Sequence, residues 1–341
     1  MSVQMEPRYL TTGAEGFGLA TVSNKNTVLD TWYPFVSLRS DAAGSATSEL
    51  TGSYIGESLG KWARRAGQRD ERRAVRTIAV KTTIASLEAS PVDIHDVYLR
   101  LHLISRRLIQ PRQANLTGFL DLMADVAWTS LGPCEPGQAL DILHSCRAER
   151  IPFDVRGTFK VPRMTDYVMP DGVWIEDADR VLLGAHLACG TTVTAEGFIG
   201  VNAGTTGPCM VEGRISLGAV VGELSDIGGG ASIMGTTSGG GKHQVTIGKR
   251  CLLGANAGIG ISLGDDCAVE AGLYLTAGTR VRLSTSETVK AIDLSGRSGL
   301  VYRRNSQTGQ IEALESTRSW VSLHPSLHRL SPQPYLVTQG R

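Results

Sequence analysis

The sequence predicts a β-solenoid, a triangular coil of short parallel strands, in the second half of a 341-residue chain. Three observations predict it. Aliphatic residues fall six apart at Val181, Leu187, Val193 and Ile199, and again at Ile215, Val221, Ile227 and Ile233. The beat resumes at Ile247, Leu253 and Ile259, and closes with Leu263, Val269, Leu275 and Val281. Small residues stand four places after most of these, as at Ala185, Thr191, Gly197, Ala203, Ala219, Ser225, Ala231, Thr237, Ala257 and Thr279. The chain also holds 40 glycines, which supply the positive φ that tight corners require. A short fixed period marks stacked repeats. The aliphatic fills the prism interior and the small residue fits the corner. Three six-residue faces close a coil of about 18 residues, and residues one coil apart stack at roughly 4.8 Å. Helical periodicity is absent from this stretch.

The flanks read differently. Residues 1–165 form an expected N-terminal α/β domain, 166–285 the solenoid, and 286–341 a C-terminal β extension and tail. Within the first part, 16–33 reads as a strand pair about the turn Asn24-Lys25-Asn26. Residues 41–60, rich in Ser, Gly and Ala, read as a loop, and the β-branched alternation of 72–85 as a strand. An amphipathic helix is expected over 91–108, with Val97, Leu101, Ile104 and Leu108 on one stripe and Pro111 ending it. A second helix is expected over 116–131, stopped by Gly132-Pro133. The basic cluster in 62–73 reads as a solvated face. After the solenoid, 289–294 and 300–304 read as strands, and the turn 305–309 folds the chain back into 310–314 as a hairpin. The Pro- and Ser-containing tail beyond Thr317 reads as loosely ordered.

A net charge of +1 provides no global field toward nucleic acid or membrane. No run reaches the roughly 18 apolar residues of a membrane helix, and residues 1–10 lack an apolar signal core. These features predict a cytoplasmic protein without nucleic-acid or membrane partners. The six cysteines show no ligand spacing. Cys251 and Cys267 occupy small-residue slots of the beat, which assigns them to packing.

The beat breaks twice. Ile199 to Ile215 is 16 positions, and Ile233 to Ile247 is 14. Read as insertions, such breaks form surface loops that often carry binding. The first delivers Glu212 and Arg214, and the second a glycine-rich loop with Lys242 and His243. A carboxylate can accept the proton an ammonium nucleophile must lose, or can itself attack as a nucleophile. The residues leave these two roles open.

The stretches MVEGRIS, GGGASIMG and LSGRSGLVYRRNSQTG, set among the repeats, resemble the tetrahydrodipicolinate N-succinyltransferases of lysine and diaminopimelate biosynthesis, and among them the actinobacterial branch. The resemblance covers roughly the second half of the chain, and Tyr302 stands where Phe is expected. It implies a left-handed parallel β-helix of hexapeptide repeats, a homotrimer with active sites between adjacent helices, and succinyl transfer from succinyl-CoA to an amino-oxo-dicarboxylate. It places the catalytic acid at Glu212 and succinyl-CoA contacts at Arg214, Gly229, Ser232, Ala255, Glu270, Ala271 and Gly278. Further contacts fall at Lys290, Leu300, Val301, Tyr302 and Arg303. It also implies Mg²⁺ or Ca²⁺ at the trimer axis on Asp179 and Glu196, which lie 17 positions apart, almost one coil. The rival enzyme reading is a sugar or serine acetyltransferase with His243 as base. A carbonic anhydrase on this scaffold needs three zinc-binding histidines, and the repeats hold only His186 and His243.

Overall fold

The computed structural model describes residues 9–40 and 44–315. The described residues divide into two units, one of 9–40, 44–103 and 112–167, the other of 104–111 and 168–315.

In the first unit an antiparallel sheet runs in the order Val28–Arg39, Gly13–Ser23, Val75–Ile84, Ala46–Glu49. The two leading strands join where Asn26 takes φ 64°, a conformation Asn tolerates. This is the expected strand pair. The expected loop over 41–60 is instead structured: Ala46–Glu49 pairs with Val75–Ile84, and Ser53–Leu59 is a helix. The helix over 91–108 shortens to Ile94–Ser105. It is not amphipathic, because Tyr98, Leu99, Arg100 and His102 are as buried as Val97 and Leu101. Its polar groups are satisfied inside. Arg100 Nε donates to Asp96 Oδ1 at 2.7 Å, and its Nη1 donates to the carbonyls of Leu87 and Asn115. Leu108 lies beyond the helix end and is exposed.

The second expected helix is also corrected. Only Phe119–Leu122 is helical, following Gly118 at φ 76°. The chain then enters strand Val126–Thr129, which pairs with Gly132–Cys134 on one side and Val155–Phe159 on the other. The helix Ala139–Ala148 was not anticipated.

The second unit carries the beat. All fifteen of its aliphatics are at most 2% exposed. Those from Val193 to Leu275 fall into three parallel ladders, whereas Val281 lies in strand Arg280–Leu283, which pairs antiparallel with Thr288–Lys290. The first joins Trp174–Ile175, Thr192–Val193, Cys209–Val211, Ser225–Ile227, Leu252–Leu253 and Ala268–Val269, and ends on Leu300–Arg304. The second joins Phe198–Ile199, Arg214–Ile215, Ser232–Ile233, Gly258–Ile259 and Tyr274–Leu275. The third joins Gly204–Thr205, Val220–Val221 and Thr246–Ile247, and reaches Leu263 by a single bridge. From Val193 to Leu275 the chain visits the three in fixed rotation, as a coil with three short sides must. Cys251 and Cys267 fill small slots at 0% exposure.

The two breaks differ in kind. The first is a shortening: Thr205 and Val211 carry the buried beat onward, and Ile215 follows Val211 after four residues instead of six. A second four-residue step separates Ile259 from Leu263. Coils containing such a step are 16 residues long, as in the pairings Val211 to Ile227 and Ile259 to Leu275. The second break is a true insertion, closed by a bridge between Thr236 and Gln244 and turned at Gly239 and Gly240, both at positive φ. Lys242 and His243 sit exposed in it.

Beyond the coil, Leu300–Arg304 and Ile311–Glu315 form the expected antiparallel hairpin. Thr288–Lys290 is a strand, whereas 291–294 is a 3₁₀ turn and not its continuation. The tail beyond Thr317 lies outside the described residues.

Candidate active site

The corner after the first ladder repeats one device in successive coils, starting with the N–H of Glu176 bonded to Val193 O and that of Thr194 to Val211 O. The residue following the buried aliphatic donates its N–H to the carbonyl of the next coil: Glu212 to Ile227, Gly228 to Leu253, Gly254 to Val269 and Glu270 to Tyr302. Two glycines therefore separate two glutamates along one edge. A side chain at Gly228 would strike Leu253 O, and one at Gly254 would strike the Ala271 main chain, so glycine is required at both. One position further on, Gly229, Ala255 and Ala271 continue the row of small residues. Three coil spacings make the row about 14 Å long.

Glu212 stands at one end of this row, half-buried, where the shortened corner turns. Gly213 makes that corner possible, because a Cβ there would meet the carbonyl oxygens of Ala231 and Gly228. Arg214 does not pair with Glu212. Its Nη2 reaches across the second ladder to Ser232 Oγ at 2.6 Å. Beside them opens a cavity of about 500 Å³, lined by Arg180, Glu196, Phe198, Arg214 and Ser232 among others. A Cβ placed on Gly229 would lie 3.2 Å from Glu196 Oε2 and 3.9 Å from Glu212 Oε2. The two carboxylates thus face one spot, and a guanidinium lies beside them. Such a set can accept a proton and hold an anion.

Neither Arg180 nor Phe198 was read from the sequence as part of this site. Arg180 Nη2 donates to Glu196 O at 2.8 Å, tying consecutive coils together. The signal was present in the spacing, since Arg180 precedes the beat residue Val181, whose bridge partner is Ile199. The expected metal pair gains no third ligand: among the described residues no three His, Cys, Asp or Glu side chains converge. Glu196 instead lines the Arg214 cavity. One chain does not make a closed metal site.

The remaining expected contacts divide by exposure. Ala255, Glu270, Ala271, Gly278, Lys290 and Arg303 are at the surface. Leu300 and Tyr302 turn inward, 2% and 0% exposed, so only their main chain is left to meet a ligand. Tyr302 pairs with Val269 and takes the aliphatic place of the first ladder. Only Val301, Arg303 and the main chain of this stretch face outward. Glu270 Oε2 accepts the N–H of Arg304 at 2.6 Å, fastening the hairpin to the coil. Arg280 and Lys290 are opposite each other across paired strands, both exposed. Arg303 is matched by Glu312 at 3.2 Å, and hydrogen bonds from Asn305 and Arg303 hold the Glu312 carboxyl below its ordinary range.

Comparison with known proteins identifies the scaffold. Residues 244–277 match the family model of the hexapeptide repeat of succinyl-transferase. The chain is 51% identical over 251 residues to 2,3,4,5-tetrahydropyridine-2,6-dicarboxylate N-succinyltransferase of Vibrio cholerae, covering 72% of this chain and 73% of that one. The enzyme of the same name from Pseudomonas aeruginosa is 47% identical with the same coverage. The chain belongs to the 2,3,4,5-tetrahydropyridine-2,6-dicarboxylate N-succinyltransferase family. It is thus an acyltransferase, and its three ladders are hexapeptide-repeat structure. A Campylobacter jejuni structure provisionally named a 2,3,4,5-tetrahydropyridine-2-carboxylate N-succinyltransferase superposes with a TM-score of 0.79 at 27% identity, over 91% of this chain and 94% of that one. Membership in the succinyltransferase family displaces the acetyltransferase reading built on His243. The carbonic anhydrase reading falls with it. His186 is buried, its Nδ1 bonded to Thr205 O at 2.8 Å, and burial pulls its pKa down, so it stands neutral in the core.

Proposed function

We propose that this enzyme transfers the succinyl group of succinyl-CoA to the amine of tetrahydrodipicolinate in its open form, 2-amino-6-oxopimelate, in lysine and diaminopimelate biosynthesis. The observation that carries the site assignment is that the Glu212 and Glu196 carboxylates face one spot beside Gly229, at the end of a row of small residues and next to the cavity that Glu196 and Arg214 line. The acceptor ammonium gives a proton to the Glu212 carboxylate. Its nitrogen then attacks the thioester carbon, the C–N bond forms, the C–S bond breaks, and the CoA thiolate leaves to take up a proton. The oxyanion needs N–H donors from the glycine-rich coils other than those of Gly228 and Gly254, which the carbonyls of Leu253 and Val269 already hold. Arg214 offers its guanidinium to the succinyl carboxylate. The pantetheine arm follows Gly229, Ala255 and Ala271, past Glu270 and Gly278, toward the cations Arg280, Lys290 and Arg303, which receive the phosphates.

The deciding assay follows free thiol. Release of CoA from succinyl-CoA that requires tetrahydrodipicolinate supports the reading. Release from acetyl-CoA with a sugar or serine overturns it. Replacing Arg214 by Ala removes a charge-assisted bond of about 1.5–3 kcal/mol, so KM for succinyl-CoA should rise about 10- to 100-fold while kcat changes less. An unchanged KM removes Arg214 from the donor site.

The finer architecture belongs to the same proposal: a left-handed β-helix, three copies around an axis, in the cytoplasm, with active sites between neighbours. Asp179 and Glu196 of several copies would share a Mg²⁺ or Ca²⁺ there, in a structural and not a catalytic role. Sedimentation with and without chelator tests this. The expected result is a metal-containing trimer that loosens when the metal is removed. A metal-free trimer indifferent to chelator discards the ion.

A further inference from the structure

The first unit contains a cavity of about 600 Å³ that the acyl transfer does not use. Its floor is one face of the antiparallel sheet, where Leu19, Thr21, Asp30, Trp32 and Thr77 point the same way from neighbouring strands. Its walls bring together Trp62, Arg64, Arg65, Arg73, Trp128 and Arg156. Residues 62–73, read from the sequence as a solvated basic face, are thus gathered with aromatic rings around a concave surface.

The chemistry of the lining is selective. Trp32 and Trp62 stand edge-to-face with ring centres 4.9 Å apart. Arg64 and Arg65, in the last turn of the 3₁₀ helix Gly60–Arg65, make no ion pair among the described residues. Arg73 is set in place: its Nε donates to Asp70 Oδ2 at 2.7 Å and its Nη1 to Pro133 O at 3.2 Å. Gly132, at φ 111°, leaves the space its guanidinium occupies, which any Cβ would enter. Arg156 lies 3.6 Å from Asp166. Four guanidiniums line the cavity with two carboxylates, Asp30 and Asp166, and Asp70 holds Arg73 from outside it, so Arg64 and Arg65 are the two left without a matching carboxylate among the described residues. Asp30 is committed internally, accepting from Tyr167 Oη at 2.6 Å and from the Thr21 N–H at 3.2 Å. Burial raises its pKa, which further reduces its weight as an anion. The surplus is cationic, and it lies beside flat apolar rings.

We propose that this cavity is a second ligand site, which takes a nucleotide: the base packs on the Trp32–Trp62 pair, and the phosphates are held by Arg64, Arg65 and Arg73. Guanidiniums bind phosphate oxygens in pairs, indoles give a base a stacking surface, and the volume suits a ligand of that size. The hydroxyls of Thr21 and Thr77 are left to address the base edge. The same chemistry is offered by a free nucleotide and by the nucleotide end of CoA.

Calorimetric titration of the full-length protein with ADP, adenosine and pyrophosphate, repeated in saturating CoA, tests the proposal. ADP should bind at least tenfold more tightly than either half alone. The double variant R64S/R65S, which alters two exposed side chains without ion pairs, should weaken ADP at least tenfold and leave the succinyl transfer rate at saturating succinyl-CoA unchanged. Given that loss, ADP binding that persists in CoA assigns the site to a free nucleotide, and competition by CoA assigns it to the nucleotide end of CoA. No ADP binding at millimolar concentration, binding matched by pyrophosphate, or binding untouched by R64S/R65S each overturns the proposal.

Discussion

Glu212→Gln should fold normally and lose succinyl transfer by about 10²- to 10⁴-fold, the usual worth of a positioned general base. The fold is spared because Glu212 holds the corner through its main chain, whose N–H bonds to Ile227 O at 2.8 Å. Its carboxylate makes no ion pair with Arg214, so the amide strands no buried partner. Glutamine keeps the shape beside Gly229 but accepts no proton from an ammonium. Steady-state kinetics on both proteins checks this, with sedimentation confirming an unchanged assembly. Turnover near that of the parent enzyme removes Glu212 from catalysis and leaves Glu196, which faces the same spot, as the remaining carboxylate.

The largest loss of stability is expected from Asp96→Ala. Asp96 and Arg100 have side chains 1% and 0% exposed, one helical turn apart, and their bond is 2.7 Å. Asp96 Oδ2 also accepts the Val92 N–H at 3.0 Å, closing the start of the helix. Removing the carboxylate leaves a buried guanidinium with two carbonyls and no counter-charge, a change that costs about 3–5 kcal/mol. A urea titration followed by tryptophan fluorescence should show the first unit unfolding at much lower denaturant. A shift worth less than about 1 kcal/mol would mean that water or rearranged carbonyls replace the carboxylate.

The coil was legible because aliphatics recur every six residues with small residues at fixed offsets, so the period survives in the sequence. Val193 and Ile227 announce one ladder, but the four-residue step at Ile215 hid Val211 between them, and a second at Leu263 shortens a later coil in the same way. Coil arithmetic set Glu196 beside Asp179, and the structure also brings the Glu196 carboxylate to Gly229, near Glu212, a neighbour on a later coil that the arithmetic did not show. The hairpin strand Leu300–Arg304 was legible, but the inward turn of Tyr302 was hidden, because an aromatic stands where the beat leads one to expect an aliphatic. In the first unit the Leu-rich 116–131 segment resembles a helix. Its partner strand Val155–Phe159 lies too far along the chain to be seen locally. The buried helix misled for the opposite reason: Arg100 and His102 are residue types of a solvated face, and their hydrogen bonds inside the fold are invisible until the carbonyls of Leu87 and Tyr98 are in place.

The central claim is that succinyl moves from CoA to the nitrogen of an open-chain amino-oxo-dicarboxylate at the Glu212 corner. Mass spectrometry of the product formed from isotopically labelled succinyl-CoA and tetrahydrodipicolinate tests it most directly. The account predicts labelled N-succinyl-2-amino-6-oxopimelate, with fragmentation placing the label on nitrogen, and none from Glu212→Gln. Label released as free succinate, or a product that forms equally with Glu212→Gln, would contradict it.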